Sequence, residues 1–336
     1  MKKRQIILNP INIDPPVRCY RIHAYVINIM ENIYPDFPLY LISHYLSLHN
    51  GMEQYRREYL DFHLENNYIN VRELFRDNSW FDIIKFEDIC PSAPPVTEMK
   101  NQILHYLKQG YYVLHRANEG AFPHSNMYRC EQADNNVMTL GYCYENDSFA
   151  VLDYEKNGRF GVSWVSCYDY LKSLLTVKQE DRLKLNFIKA KPGMVFSFDN
   201  QHAKKLLSCY VKCENAYPDN EKYNNNIFGY EGVERCLKTM ESDKVNFVRL
   251  RVINEHKGIV SKYMSWSVEH GYIDRADFCD NYRKISNDMN LIFLKALKKQ
   301  ICYGINGVSY QTEYDAIRYL NEKERKLLQN YLSYTS

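Results

Sequence analysis

Three polar positions in this chain, Cys19, Asn135 and Asp153, read as half of a thiol-based catalytic apparatus. The first is Cys19, in Pro15-Pro16-Val17-Arg18-Cys19-Tyr20-Arg21-Ile22-His23-Ala24-Tyr25. Apolar residues at Tyr20, Ile22, Val26, Ile27, Ile29 and Met30 predict a largely buried helix, and the two prolines exclude helix just before it. Cys19 therefore falls at or near a helix N-terminus, where exposed backbone N–H groups and the macrodipole favour a thiolate. Arg18 and Arg21 add positive charge. Position alone does not assign the role, because one cysteine among ten is most often a small buried hydrophobe.

The other two positions bracket a strand pair. Asn135-Asn136-Val137-Met138-Thr139-Leu140-Gly141-Tyr142 and Phe149-Ala150-Val151-Leu152-Asp153 read as antiparallel strands around a turn at 144–148, with a polar residue opening the first and a carboxylate closing the second. In a thiol enzyme these places suit a base and the acid that orients it. Asp153 can orient a ring, but the Asn135 amide does not titrate and cannot act as a general base near neutral pH. Two histidines are candidates to fill in. His124 lies in the polar loop leading to Asn135, and His23 is four residues beyond Cys19 on the expected helix. The plainer readings are a surface-loop histidine and a core or groove histidine.

Other polar groups read as packing. Glu255-His256-Lys257 would point in three directions on a helix, so Glu255 and Lys257 are expected in interdomain or surface contacts and His256 at a rim. Asn200-Gln201-His202 and Trp266 are expected to pack, and Cys209-x-x-x-Cys213 has no second ligand pair for a zinc site.

These residues must be held by surrounding elements. After the first helix, broken at Pro35-Asp36-Phe37-Pro38, Leu39 to Leu48 reads as a second helix stopped by His49-Asn50-Gly51. The charged, tyrosine-rich run 52–77 reads as helix, alone or with an edge strand, and a proline-rich loop from Cys90 leads into an amphipathic helix from Val96 to Gln109. Tyr111 to Leu114 reads as a buried strand, Ala117 to Asp134 as a surface loop, and Arg159 to Val165 as a third strand after the pair. Ser166, with Asp169 three residues on, predicts a capped helix start. Leu183 to Ile188 is strand-like, and from Asn200 the pattern is helical, interrupted by an asparagine-rich linker at 217–226.

Composition sets the outer bounds. A chain of 336 residues with 45% apolar content supports two domains, and a net charge of +2 gives no broad field for nucleic acid or membrane. Thirty tyrosines are read mainly as nucleotide bias. The ten cysteines lack C-x-x-C pairs and the first ten residues lack a signal-peptide core, so reduced thiols and a cytoplasmic location are expected.

With helix-borne cysteine, strand pair and closing aspartate in this order, residues 15–176 resemble the N-terminal domain of the butirosin biosynthesis protein H family. The whole chain resembles relatives encoded beside nonribosomal-peptide and other thiotemplated assembly lines in low-GC bacteria. The resemblance rests on Arg18-Cys19-Tyr20, Leu140-Gly141-Tyr142, Val151-Leu152-Asp153, Ile227-Phe228-Gly229 and Glu255-His256-Lys257. It implies an α+β fold: a papain-like half-barrel with an N-terminal helix over residues 1–176, followed by a mostly helical C-terminal domain over 177–336. It also implies acyl transfer from a carrier-protein phosphopantetheine thioester to an amine through a cysteine acyl-enzyme.

Carried over residue by residue, Cys19 falls at the nucleophile, Asn135 at the histidine and Asp153 at the acid, with His124 as the candidate substitute base. Two departures stand out: Asn135 replaces the histidine, and Asn118 replaces an aspartate on the preceding strand. Together they suggest lost or altered catalysis. The expected partners are an acyl or peptidyl carrier protein and a small amine or amino-acid-derived acceptor. No cofactor of the chain's own is implied, since phosphopantetheine rides on the partner. The alternatives are a catalytically silent relative that binds carrier-tethered intermediates and, third, a leader peptidase.

Overall fold

The computed structural model describes residues 6–52, 58–65, 80–90, 95–156, 158–178, 184–242, 246–303 and 308–335. The chain forms two compact units, each assembled from two separated stretches: residues 1–35 with 68–195, and 36–67 with 196–336. The class is α+β, with antiparallel sheets and a helical C-terminal region. The expected division at residue 176 falls inside the first unit, whose sheet includes a strand at Leu185–Ala190.

In the first unit the elements are β1 (Ile6–Leu8), α1 (Arg21–Ile33), β4 (Phe81–Lys85), α3 (Phe86–Ile89), α4 (Val96–Lys108), β5 (Tyr112–Asn118), β6 (Asp134–Cys143), β7 (Ser148–Tyr154), β8 (Phe160–Ser166), α5 (Cys167–Leu175) and β9 (Leu185–Ala190). Seven strands form one antiparallel sheet in the order β4-β9-β5-β6-β7-β8, with β1 on β6. The ten-residue β6 is long enough to serve two partners on one side. Its first half pairs with β5, from Asp134 opposite Asn118 to Thr139 opposite Val113, and its last three residues pair with β1. The change of partner coincides with a register shift against β7 between Thr139 and Gly141. There β1 comes so close that a Cβ on Gly141 would lie 2.4 Å from the Ile7 carbonyl oxygen.

The central strands β5, β6 and β7 are buried on both faces over most of their length, whereas β4 and β8 keep exposed positions. On one face Val113, Val137, Phe149, Val151 and Phe187 pack against Met99, Ile103 and Leu107 of α4 and Tyr170 and Leu174 of α5. Each such aromatic or aliphatic side chain contributes about 1.5–3 kcal/mol on burial. The α4 residues follow helical spacing as expected, and the helix stops before Gly110, whose φ is +84°. The Ser166 cap also forms: its hydroxyl accepts from the Asp169 N–H at 3.1 Å.

The second unit holds α2 (Phe37–His44), β2 (Leu48–Met52), β3 (Glu58–Phe62), α6 (Asn200–Lys212), β10 (Ile227–Phe228), α7 (Gly229–Ser242), α8 (Phe247–Glu269), α9 (Ala276–Tyr303) and α10 (Gln311–Thr335). Two expectations fail here. The helix expected over Leu39 to Leu48 ends at His44, and His49-Asn50-Gly51 is not a helix stop but the centre of β2, paired on one side with β3 and on the other with β10. Residues 217–226 are not a solvated linker, since Tyr217 and Tyr223 are buried and pack on His63. Of the run 52–77, the described Glu58–Phe62 is strand, and 53–57 and 66–79 lie outside the described residues, as do 91–94 of the proline-rich loop.

Glu255-His256-Lys257 also departs from expectation. His256 and Lys257 are fully buried in α8. The Lys257 ammonium donates to the Tyr210 hydroxyl at 2.9 Å and pairs with Glu324 of α10 at 2.5 Å. Burial pulls the Lys257 amine below its usual range, and Glu324 works against that shift. His256 Nε2 contacts the Leu46 carbonyl oxygen at 3.1 Å, and burial lowers its basicity well below an ordinary imidazole.

Candidate functional site

Cys19 precedes Tyr20, the extended residue (φ −113°, ψ 139°) at which α1 begins. Among the described residues the Tyr20 side chain makes no cap bond at this helix start, and no acid stands in the first turn. The Cys19 thiol is in no disulfide among the described residues and is only 3% exposed. The flanking arginines behave differently from expectation. Arg18 is paired with Asp14, and Arg21 turns into the fold and bonds two carboxylates.

That pairing organises the site. Arg21 Nη1 bonds Glu119, and Nη2 lies 3.1 Å from Asp153 Oδ1. Arg21 Nη1 also reaches the Asn136 carbonyl oxygen at 3.3 Å, and one helical turn on, the buried Tyr25 hydroxyl lies 3.1 Å from both the Asn136 and Leu152 carbonyls. The first turns of α1 are thereby fixed to the opening of β6 and the end of β7. The Tyr154 hydroxyl adds a bond to the Arg18 carbonyl, next to Cys19.

The cluster holds two carboxylates against one guanidinium, away from water. Asp153 is 1% exposed; its Oδ1 accepts from the Tyr154 N–H at 2.7 Å, and its Oδ2 has no hydrogen-bond partner among the described residues. Burial, opposed by Arg21 and reinforced by Glu119, pushes the Asp153 carboxyl up to about 7. Burial also works against the Arg21 charge, but Asp153, Tyr25 and Glu119 outweigh it and hold the guanidinium above its ordinary range. Asp153 is thus a proton-holding acid committed on one oxygen to Arg21.

Glu119 owes its place to the loop after β5. A 3-10 turn at Glu119–Ala121 is capped by Asn118, whose Oδ1 accepts from the Gly120 N–H at 3.0 Å and from the Ala133 N–H at 3.2 Å. The Asn118 Nδ2 donates to the Glu131 carbonyl at 2.9 Å and to the Thr176 hydroxyl at 3.3 Å. An aspartate could accept those bonds but not donate these, so the amide at 118 ties both ends of the loop. The loop folds tightly on itself: a Cβ on Gly120 would lie 1.9 Å from the Cys130 carbonyl oxygen. Ser125, buried in the same loop, donates to Glu119 Oε2 at 3.1 Å.

His124 comes to the cluster with this loop and is not a solvated surface residue. Its carbonyl accepts from the Lys156 N–H at 3.0 Å, just past β7, and its ring stacks on Phe122 with centroids 5.4 Å apart. Its buried Nε2 has no hydrogen-bond partner among the described residues. Burial lowers the imidazole's basicity; Glu119 and Glu155 oppose the shift, and Arg21 and Lys156 add to it. A neutral ring at pH 7 has a lone pair to accept a proton.

Asn135 is exposed and stands in β6 opposite Ala117. Met138 pairs with Leu152, so Asn135, three residues before that pair, and Asp153, one after it, share one end of adjacent strands with a two-residue offset. That offset is about 7 Å along a strand. His23 is buried in α1, as its core reading expects. Glu119 and the inward turn of Arg21 were missed by sequence reasoning; the only local signal was an acid directly following a buried strand. Among the described residues no helix is long and apolar enough to cross a membrane. No protein-family model matches the chain, and no curated protein matches it at a significant level.

Proposed function

We propose that the α1 N-terminus and the Arg21–Glu119–Asp153 cluster form the reaction centre of a papain-like, carrier-protein-dependent acyltransferase or amide-forming enzyme of peptide-antibiotic-type metabolism. Cys19 attacks the carbonyl of a phosphopantetheine thioester, the pantetheine thiol leaves with a proton, and a small amine then takes the acyl group and restores the cysteine. Thioester exchange is nearly thermoneutral and amide formation from a thioester is downhill, so no ATP is required. His124 serves as the base in place of Asn135. The observation that carries the reading is His124 itself, a half-buried imidazole whose Nε2 has no hydrogen-bond partner among the described residues and lies in the electrostatic field of Arg21 and Glu119. Asp153 acts on the cluster's charge through Arg21.

The second reading is a silent relative that binds a carrier-tethered intermediate without acylation. It is favoured by one observation: Arg21, expected to support a thiolate, is taken up by Glu119 and Asp153. Incubation with an acylated carrier protein, followed by intact-mass measurement of both proteins, separates the two. Acyl transfer requires a mass shift on the chain that disappears in Cys19→Ala and slows by about a hundredfold in His124→Gln. Binding without any mass shift supports the silent relative. Turnover persisting in Cys19→Ala rules out both.

A further inference from the structure

The helix α9 carries two apolar stripes. Phe278, Tyr282, Ile285, Met289, Phe293 and Ala296 face inward and pack among α8 and α10. The second stripe lies on the opposite side. Leu291 is 55% exposed, Leu294 48% and Ile301 71%, and with Lys298 between them the spacing is three, four and three residues. At about 100° per residue these four positions span an arc of about 80° and a length of about 15 Å. Nothing in the unit's own core explains an outward row of this kind on a helix already packed on its other face.

Charge selects what fits it. Residues 289–303 contain Lys295, Lys298 and Lys299 and no acid. Lys299 is held by Glu313 at 2.7 Å, whereas Lys295 and Lys298 are exposed and make no ion pair among the described residues. A second copy laid on this row would bring lysines against lysines, with the nearest acid on the helix, Asp288, beyond the row's first leucine, which penalises self-pairing. The arc is the width of a coiled-coil seam and narrower than the apolar face of a helix lying in a lipid interface.

We propose that the outer face of α9 docks an amphipathic helix of a partner protein, seating its apolar seam on Leu291, Leu294 and Ile301 and placing its acids against Lys298 within that row and Lys295 beside it. The inference is independent of the chemistry assigned to Cys19. The seam sets register through apolar contacts, and the lysines select an acidic over a basic helix.

The test uses the full chain and two three-heptad synthetic helices with leucine at the seam positions, one flanked by glutamates and one by lysines. Fluorescence anisotropy at low salt should show binding of the glutamate-flanked helix only. Leu294→Glu, at an exposed position, should weaken it by about tenfold or more, and Lys295→Glu with Lys298→Glu should transfer preference to the lysine-flanked helix. No binding of the glutamate-flanked helix overturns the proposal, as does binding that the substitutions leave unchanged. Two further results also overturn it by naming another occupant: binding to phosphatidylcholine–phosphatidylserine vesicles that Leu294→Glu abolishes, or a dimer in sedimentation that the same substitution dissociates.

Discussion

Replacing Arg21 by methionine removes the one cation that two buried carboxylates share, and the cost follows from counting the charges left behind. The side chain is 17% exposed, Glu119 2% and Asp153 0%, so the interactions are only weakly screened. At about 4 Å between charge centres and an effective dielectric of about 20, each attraction is worth about 4 kcal/mol before desolvation. Removing one member of a buried pair costs about 3–5 kcal/mol, and Asp153 softens the loss by taking a proton. We therefore expect about 3 kcal/mol for Arg21→Met. Asp153→Asn removes the carboxylate the cluster holds least well and leaves Arg21 on Glu119, so it should fall within about 1 kcal/mol of the native protein. Segment-resolved hydrogen exchange on the full chain reads this locally: protection of α1, β6 and β7 should fall by about a hundredfold in Arg21→Met, with α8 and α9 as internal reference. Equal losses in the two variants would refute the charge count. The pH dependence has a fixed sign. The Asp153 carboxyl is raised from an ordinary 3.8 to about 7, so its contribution is complete below the ordinary value and is lost as pH rises through 7. Intrinsic-rate-corrected protection of β7 should decline from pH 6 to 8, and Asp153→Asn should remove that decline.

Three other outcomes are expected. Lys257→Met alone should destabilise the second unit by about 3–5 kcal/mol by stranding Glu324, while Lys257→Met with Glu324→Leu should recover most of the loss in urea unfolding followed by helix signal; a double variant as unstable as the single would contradict the pairing. Asn118→Asp loses both amide donor bonds and should cost about 1–3 kcal/mol, read as faster proteolysis within 119–133, and an unchanged cleavage rate would remove the stapling role. Under iodoacetamide at neutral pH the exposed Cys130 and Cys302 supply the accessible reference, and Cys19 should label faster than Cys143 and Cys167, which are buried to a similar degree; labelling no faster than those two would withdraw Cys19 as nucleophile.

Local features of the fold were legible in the sequence, and non-local pairings were not. The helix after Pro16, the helix before Gly110, the strand pair around 144–148 and the Ser166 cap each depend on residues within one or two turns of one another. The strand β2 was misread because its partners are β3 and, almost 180 residues on, β10, so nothing adjacent marks His49-Asn50-Gly51 as sheet. For the same reason the return of residues 36–67 to the C-terminal unit cannot be read from composition along the chain.

The candidate site shows the same division in a form that bears on chemistry. Cys19 at a helix start and Asp153 at a strand end were found from local pattern, but Arg21 was read as a free charge because Glu119 and Asp153 stand 98 and 132 residues away. Once those partners are placed, the charge two residues from Cys19 depends on a proton. With Asp153 protonated, Arg21 and Glu119 cancel; with Asp153 ionised, the cluster carries an excess negative charge that opposes a thiolate. The carboxyl that titrates near neutrality therefore sets the electrostatic field at the helix start. A thiol that gains reactivity as Asp153 takes its proton, contrary to the usual rise of thiolate with pH, is the signature that this cluster and Cys19 act as one site.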